Sequence, residues 1–276
     1  GVQTTLGRPN SGFSVAGSAA NTSNPAPPMW PVSPLATQAP ELWRNAKGVW
    51  PLWEQGAFAY DLVTQDAGEL VSIGGGSAPS FTSTEKGVGV RFVANKGSAE
   101  IGDNSGGAIE TGWAEITGGV DRTFVALIRA TSSYTTRRRI FEYGTNSSGR
   151  KYGVRIDEDS NYQLRFEHAG GFIRGSTSLN DDSYHVVAVV LRGDTLQEGS
   201  LFVDGVKETI SGSAGLSTTI NTGTNLSAKI GSGLGSTNDP WDGDIGFVGL
   251  FEEAWTESVI KRFSEDLFTM LRPQEF

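Results

Sequence analysis

From Gly87 onward the chain repeats one pattern: apolar residues at alternate positions over roughly 5 to 9 residues, then a turn signal. Lys151 to Asp157 shows it most cleanly, with Tyr152, Val154 and Ile156 on one face and Lys151, Arg155 and Asp157 on the other. Successive side chains of a strand point to opposite faces, so this period predicts a half-buried antiparallel strand. Thr123 to Ala130, Arg139 to Tyr143, Gln163 to His168 and Tyr184 to Arg192 predict further strands. His185 to Leu191 and Ile245 to Phe251 are apolar at successive positions, which predicts strands buried on both faces. Asp204-Gly205 separates Leu201-Phe202-Val203 from Val206. Such a pair suits a two-residue type I′ hairpin, whose central residues both need positive φ. With 37 glycines and few long helix formers, the chain reads as all-β.

One helix is expected. Thr256 is its N-cap, and Val259, Phe263, Leu267 and Leu271 recur along one face. Trp255 and Ile260 stand in hydrophobic-staple positions, and Pro273 is expected to end the helix.

Residues 1–40 differ from the rest. They hold seven of the eleven prolines and a single charged residue, Arg8. Proline-rich chain favours an extended conformation without internal hydrogen bonds, so order here must come from packing against something else. Fully extended, the segment reaches roughly 130 Å. The expectation is an assembly arm over 1–40, with Pro25, Pro27, Pro28, Met29 and Trp30 as its contact residues, and a sandwich over 41–276. The alternative is an arm folded back on its own domain. After Pro40, the irregularly spaced Trp43, Trp50 and Trp53 fit the start of a core.

The formal charge is −9, and since the arm carries one positive charge, residues 41–276 carry −10. Phosphate binding needs clustered cations, so nucleic acid is an unsuitable partner. The basic triplet Arg137, Arg138 and Arg139, next to Ile140 and Phe141, reads as a solvated strand end. The absence of cysteine excludes disulfides, thiolate metal sites and a cysteine nucleophile. No run of about 20 apolar residues is present to span a membrane, and no signal peptide is expected.

Several segments resemble the laminin-G-like, concanavalin-A-like jelly roll. DDSYHVVAVVLRGD (181–194) is similar to the family's strand with an aromatic-His pair before a valine run, and His185 falls on a structural position there. GSLFVDGVKE (199–208) resembles its hairpin, and IGSG (230–233) the strand that follows. WDGDIGFVGLFEEAWTESVIKRF (241–263) resembles its closing strand and short helix. PELWRNAKGVWPLWE (40–54) is similar to the opening segment of laminin-G-like proteins of bacteriophages and prophages. The family's D-x-S-G-x-G-N segment is not matched; Asp61 and Asp66 fall where it would lie. The resemblance implies a two-sheet antiparallel jelly-roll sandwich over roughly 41–276, with one short C-terminal helix.

Glycosidases of this fold class carry paired carboxylates on one strand, in an E-x-D-x-x-E type of pattern. That pattern is missing, and Asp157, Glu158 and Asp159 read as a hairpin turn. No G-x-S-x-G accompanies the two histidines, His168 and His185. The chain is therefore expected to be non-enzymatic. Many laminin-G-like domains hold calcium at the sandwich rim, which makes Asp239, Asp242 and Asp244, with Asn238, a candidate calcium loop, and Asp103 with Asn104 a second. No cofactor is otherwise expected. Trp241, flanked by Asp239 and Asp242 in a polar loop, is the candidate sugar platform, with Trp113 second; the alternative is a tryptophan covering the core edge. Together these expectations describe a phage virion surface protein for decoration or adhesion. Its arm docks on capsid or other virion proteins, in an oligomer, and the sandwich faces outward to bind glycans. A secreted, extracellular bacterial carbohydrate-binding module is the runner-up, and a glycoside-active enzyme of the same fold the third reading.

Overall fold

The computed structural model describes residues 39–271, apart from 55, 74–75, 95–105, 112–115, 134–135, 159–160, 224–227, 235–238 and 268. The arm residues Pro25, Pro27, Pro28, Met29 and Trp30, the candidate platform Trp113, and Asp103, Asn104 and Asn238 lie outside the described residues.

Two antiparallel sheets pack face to face, as the jelly roll requires. Strands run in chain order as β1 (Ala46–Trp50), β2 (Phe58–Tyr60), β3 (Ala67–Ile73), β4 (Ser80–Thr84), β5 (Gly87–Phe92), β6 (Gly106–Thr111), β7 (Arg122–Ala130), β8 (Arg138–Gly144) and β9 (Lys151–Asp157). They continue as β10 (Gln163–Glu167), β11 (Phe172–Ser178), β12 (Tyr184–Leu191), β13 (Ser200–Val203), β14 (Val206–Lys207), β15 (Gly212–Ala214), β16 (Ala228–Ile230) and β17 (Gly243–Phe251). The first sheet has the order β14-β13-β12-β7-β17-β5-β4, with β1 also paired to β17. The second has the order β15-β11-β10-β9-β8-β16-β6-β3-β2.

The two doubly apolar runs sit inside the first sheet, β12 between β13 and β7, and β17 between β7 and its other partners. Alternation then divides their side chains. Val187, Val189 and Leu191 enter the core between the sheets, where Phe141, Tyr143, Tyr152, Val154 and Phe166 meet them from the second sheet. Val186, Ala188 and Val190 point the other way, into a second core. The helix α1 (Glu257–Glu265) covers that second core. Phe263 and Ile260 are each 1% exposed there, beside Trp255, Phe247 and Phe251. Burying such side chains contributes roughly 1.5–3 kcal/mol each.

Local signals hold where they were strongest. The Thr256 side chain accepts from the Val259 backbone N–H. Asp204 and Gly205 have φ of 50° and 79°, as a type I′ hairpin needs. The helix is shorter than its apolar period, however. It ends at Glu265, and Leu271 lies in a separate 3₁₀ turn, Thr269–Leu271, still buried in the second core.

With α1 on the first sheet's far side, the outer face of the second sheet is left to the polar side chains. The prediction that β9 is half-buried is corrected here, because all seven of its residues are buried. Its polar face is covered by long charged side chains from the neighbouring strands.

Candidate functional site

Register across the second sheet places two rows of residues side by side on this outer face. The first row is Arg139 on β8, Arg155 on β9, Arg165 on β10, Arg174 on β11 and Gly212 on β15. The second is Glu142, Gly153, Glu167, Phe172 and Ala214 on the same strands. Along β9, β10 and β11 the rows are two residues apart, the strand period. On β8 they are three apart, because a bulge between Arg139 and Phe141 adds a residue. The extra residue puts both Ile140 and Phe141 in the core and returns Glu142 to the side of Arg139. The two side chains pair at 2.9 Å. Without the bulge, strand alternation would set them on opposite faces.

Four arginines in a cross-strand row repel one another unless anions are interleaved. Glu167 meets that need from one side. Its Oε1 accepts from Arg139 Nη1 at 2.5 Å and Lys151 Nζ at 2.6 Å, and its Oε2 from Arg155 Nε at 3.1 Å, with Arg165 Nη2 also at 3.1 Å. Burial would raise the pKa of this carboxyl, but Arg139, Arg155 and Lys151 outweigh it and hold the group far below the usual carboxylate range. Asp157 closes the row from the other side, with Arg165 at 2.9 Å and Arg155 and Arg174 at 3.3 Å each. Burial opposes ionisation there too, and Arg155, Arg165 and Arg174 lower the pKa against it. Gly153 makes room for the cluster: a Cβ at that position would lie 3.2 Å from both Arg139 Nη1 and Glu142 Oε2.

Where the Glu row reaches Phe172, the surface opens into a cavity of about 290 Å³. Lys151, Arg165 and Glu167 line it together with Phe172, Asn146 and the Ala169–Gly171 turn. Phe172 is half-buried, and the Arg165 guanidinium lies 3.8 Å from its ring centre. His168, just before the turn, is buried, and burial lowers its pKa against the opposing backbone hydrogen bonds of His168 and Ala169. The other histidine, His185, belongs to a different region. It sits 2.7 Å from Asp204 and 3.2 Å from Asp181, and the hydrogen bond to Asp204 raises its pKa.

Sequence patterning pointed elsewhere for the site. Trp241 is fully buried in the core between the sheets, with the Arg138 guanidinium 5.7 Å from its ring centre, so it presents no face to a sugar. The three neighbouring aspartates do not converge. Asp239 receives Arg139 Nε at 3.1 Å, and Asp242 Oδ1 accepts the Ala94 N–H at 3.1 Å. Asp244 is clasped by Arg91, Arg129 and the Tyr184 hydroxyl. Arginine donors hold the carboxylates of Asp239 and Asp244, and Asp242 is directed to the backbone, so this loop does not fit calcium; among the described residues no three His, Asp or Glu side chains are grouped to hold a metal ion. The basic triplet is a solvated end only at the exposed Arg137; Arg138 and Arg139 are both buried, one over Trp241 and one in the Glu167 cluster. Asp61, in place of the unmatched family segment, is buried and accepts the Val49 and Val63 N–H groups, a structural duty.

The residues that patterning missed are Arg139, Glu142, Arg165, Glu167, Phe172 and Arg174. The available signal was the run of charged residues on one face of successive strands, already visible in Lys151, Arg155 and Asp157.

No curated protein matches the chain by sequence. Solved structures with a similar fold include domain 4 of AbnA, an extracellular GH43 arabinanase from Geobacillus stearothermophilus, in complex with arabinotriose. It has TM-score 0.56 and 12% identity, covering 80% of this chain and 98% of that one. The binding domain of Paraclostridial Mosquitocidal Protein 1 has TM-score 0.56 and 14% identity, covering 84% and 56%. A structure of botulinum neurotoxin type C, whose uptake by cells depends on interaction with two ganglioside molecules, has TM-score 0.54 and 11% identity. This chain spans about half of each of the two toxin chains, 56% and 51%. The sheet order, the type I′ hairpin and the capped closing helix agree with the sequence itself: residues 102–261, more than half of the chain, match the laminin-G-type profile described as the concanavalin A-like lectin/glucanases superfamily, and the chain belongs to that superfamily.

Proposed function

We propose that this domain is a non-catalytic glycan-binding module, displayed on a phage virion surface and docked there by the arm at 1–40. The observation that carries the binding reading is the cavity at Phe172, where a half-buried aromatic ring stands beside Lys151, Arg165, Glu167 and Asn146. The Arg165 guanidinium occupies one face of this ring, so its edge is what packs against the apolar side of a sugar, while charged and amide groups take the polar substituents. Similar folds solved with arabinotriose, or described as dependent on gangliosides, are consistent with this use.

The carboxylates of the face support a non-catalytic role. Glu142 and Glu167 face each other across Gly153, two strand spacings apart, roughly 9–10 Å at the backbone. A glycosidase needs one such group as an acid of raised pKa and space between the two for water or a sugar. Here Arg139 Nη1 fills that space, 2.9 Å from Glu142 and 2.5 Å from Glu167, and Glu167 is held ionised. The virion assignment is supported by the proline-rich, nearly uncharged arm and by the likeness of residues 40–54 to phage laminin-G-like proteins.

The test is a glycan array probed with the full chain and with Phe172→Ala, alongside release of reducing sugar from every bound glycan. Binding lost in Phe172→Ala, with the fold intact and no hydrolysis, is expected. Hydrolysis of a bound glycan, or binding indifferent to Phe172, overturns the reading.

A further inference from the structure

We propose that the Phe172 cavity selects acidic glycans, those whose bound ring carries a carboxylate or sulfate, over neutral ones. This rests on the glycan-binding reading above and narrows it.

The argument is an account of donors and acceptors. A neutral sugar hydroxyl both donates and accepts, and lectin-type sites usually offer it a free carboxylate or amide oxygen. Among the described residues Glu167 is the one carboxylate lining this cavity, and it is engaged, which leaves the Asn146 amide as the one side-chain acceptor. Each of its oxygens already faces two cations, Oε1 with Arg139 and Lys151, Oε2 with Arg155 and Arg165. Three hydrogen bonds and the ion-pair contact with Arg165 leave such a carboxylate little capacity for a hydroxyl proton. The donor side is in surplus. Lys151 carries three N–H groups and has one short contact, to Glu167 at 2.6 Å, its other carboxylate being 3.8 Å away. A guanidinium offers more donors than a carboxylate has acceptor positions, and the four-arginine row shows the excess: the buried Nε atoms of Arg165 and Arg174 have no hydrogen-bond partner.

Charge agrees with this count. Lys151 and Arg165 line the cavity against Glu167, while Arg139 and Arg155 directly behind are themselves balanced by Glu142, Asp239 and Asp157. The lining therefore carries one net positive charge, two cations against one carboxylate, on a chain of net charge −9. Steering toward this one place favours a ligand bearing a localised negative charge. Geometry gives the same orientation. Arg165 is held over Phe172 at 3.8 Å, so a sugar against the ring edge brings its ring substituent toward the guanidinium and ammonium groups.

The experiment uses the full chain and matched ligand pairs. One arm compares an oligouronate with the same oligosaccharide after reduction of its carboxyls to hydroxymethyl groups. A second compares a sulfated oligosaccharide with its desulfated form. A neutral arabino-oligosaccharide is the common reference. The acidic member of at least one pair should bind about tenfold more tightly than its neutral counterpart, and the arm that responds identifies carboxylate or sulfate as the recognised group. Its affinity should also fall as salt rises from about 50 to 300 mM, while neutral binding stays flat. Lys151→Gln should reduce the preference for the acidic member, and because the salt series needs no substitution, the proposal is still tested if that variant fails to fold. Equal binding of both members in both pairs overturns this inference and leaves the glycan-binding reading standing. No binding to any glycan overturns both.

Discussion

Replacing Glu167 by Gln removes the charge on which the outer face of the second sheet depends. The side chain is 9% exposed, and four cations lie within 3.1 Å of its oxygens. Glutamine keeps the volume and one carbonyl oxygen but leaves Arg139, Lys151 and Arg155 short of a counter-charge in a buried setting. Removing one partner of a buried ion pair costs about 3–5 kcal/mol, because the remaining charge stays desolvated. The shared network puts Glu167→Gln within that range. With a urea m-value of about 3 kcal/mol/M, the midpoint should drop by about 1–1.7 M. The pH dependence has a definite sign. The folded pKa is depressed, so the stabilisation is fully present above the ordinary value near 4.5. It is lost as pH falls from there toward the folded pKa. Wild type should therefore lose stability below about pH 4.5 more steeply than Glu167→Gln, which has already lost the contribution. Chemical denaturation at pH 7 and across the acid range measures both. A midpoint shift equivalent to less than about 0.5 kcal/mol, the ordinary surface value, would refute the reasoning that this cluster is integral to the fold.

Four further outcomes are expected. Gly205→Val should destabilise by more than about 1 kcal/mol in a thermal melt, since φ is 79° and a Cβ would lie 3.1 Å from Lys261 Cα on α1; an unchanged melt argues against that contact. Phe263→Ala, at a side chain 1% exposed in the second core, should cost about 3–5 kcal/mol by urea titration. Burial raises the Glu54 pKa to about 7, so its neutral form is favoured in the fold; stability should decline by about 3 kcal/mol between pH 4.5 and 7, and Glu54→Gln should remove that decline. On the proposed virion reading, deleting residues 1–38 should leave the melting temperature of the sandwich unchanged while abolishing incorporation into the particle; equal incorporation would show that the arm is not the docking device.

Much of the architecture is legible residue by residue because its causes are local. The period of two in Lys151 to Asp157, the apolar runs of β12 and β17, the Asp204-Gly205 turn and the Thr256 cap each depend on side-chain direction or backbone preference within a few residues. The site is not local in that sense. Nothing in the chain announces the bulge that brings Glu142 beside Arg139, or the register that lines up arginines separated by 35 residues of sequence, from 139 to 174. The loop around Trp241 misled for the same reason. Its polarity is set by sequence neighbours, whereas its burial is set by Arg138 and by the core between the sheets. The strands β7 to β10, β12, β13 and β17, the Asp204-Gly205 turn and the superfamily resemblance are readable from the residues alone. Which charges meet is not readable there, because pairing across strands depends on registers fixed by contacts distant along the chain, and a one-residue slip in any of them would turn the arginine row toward the core.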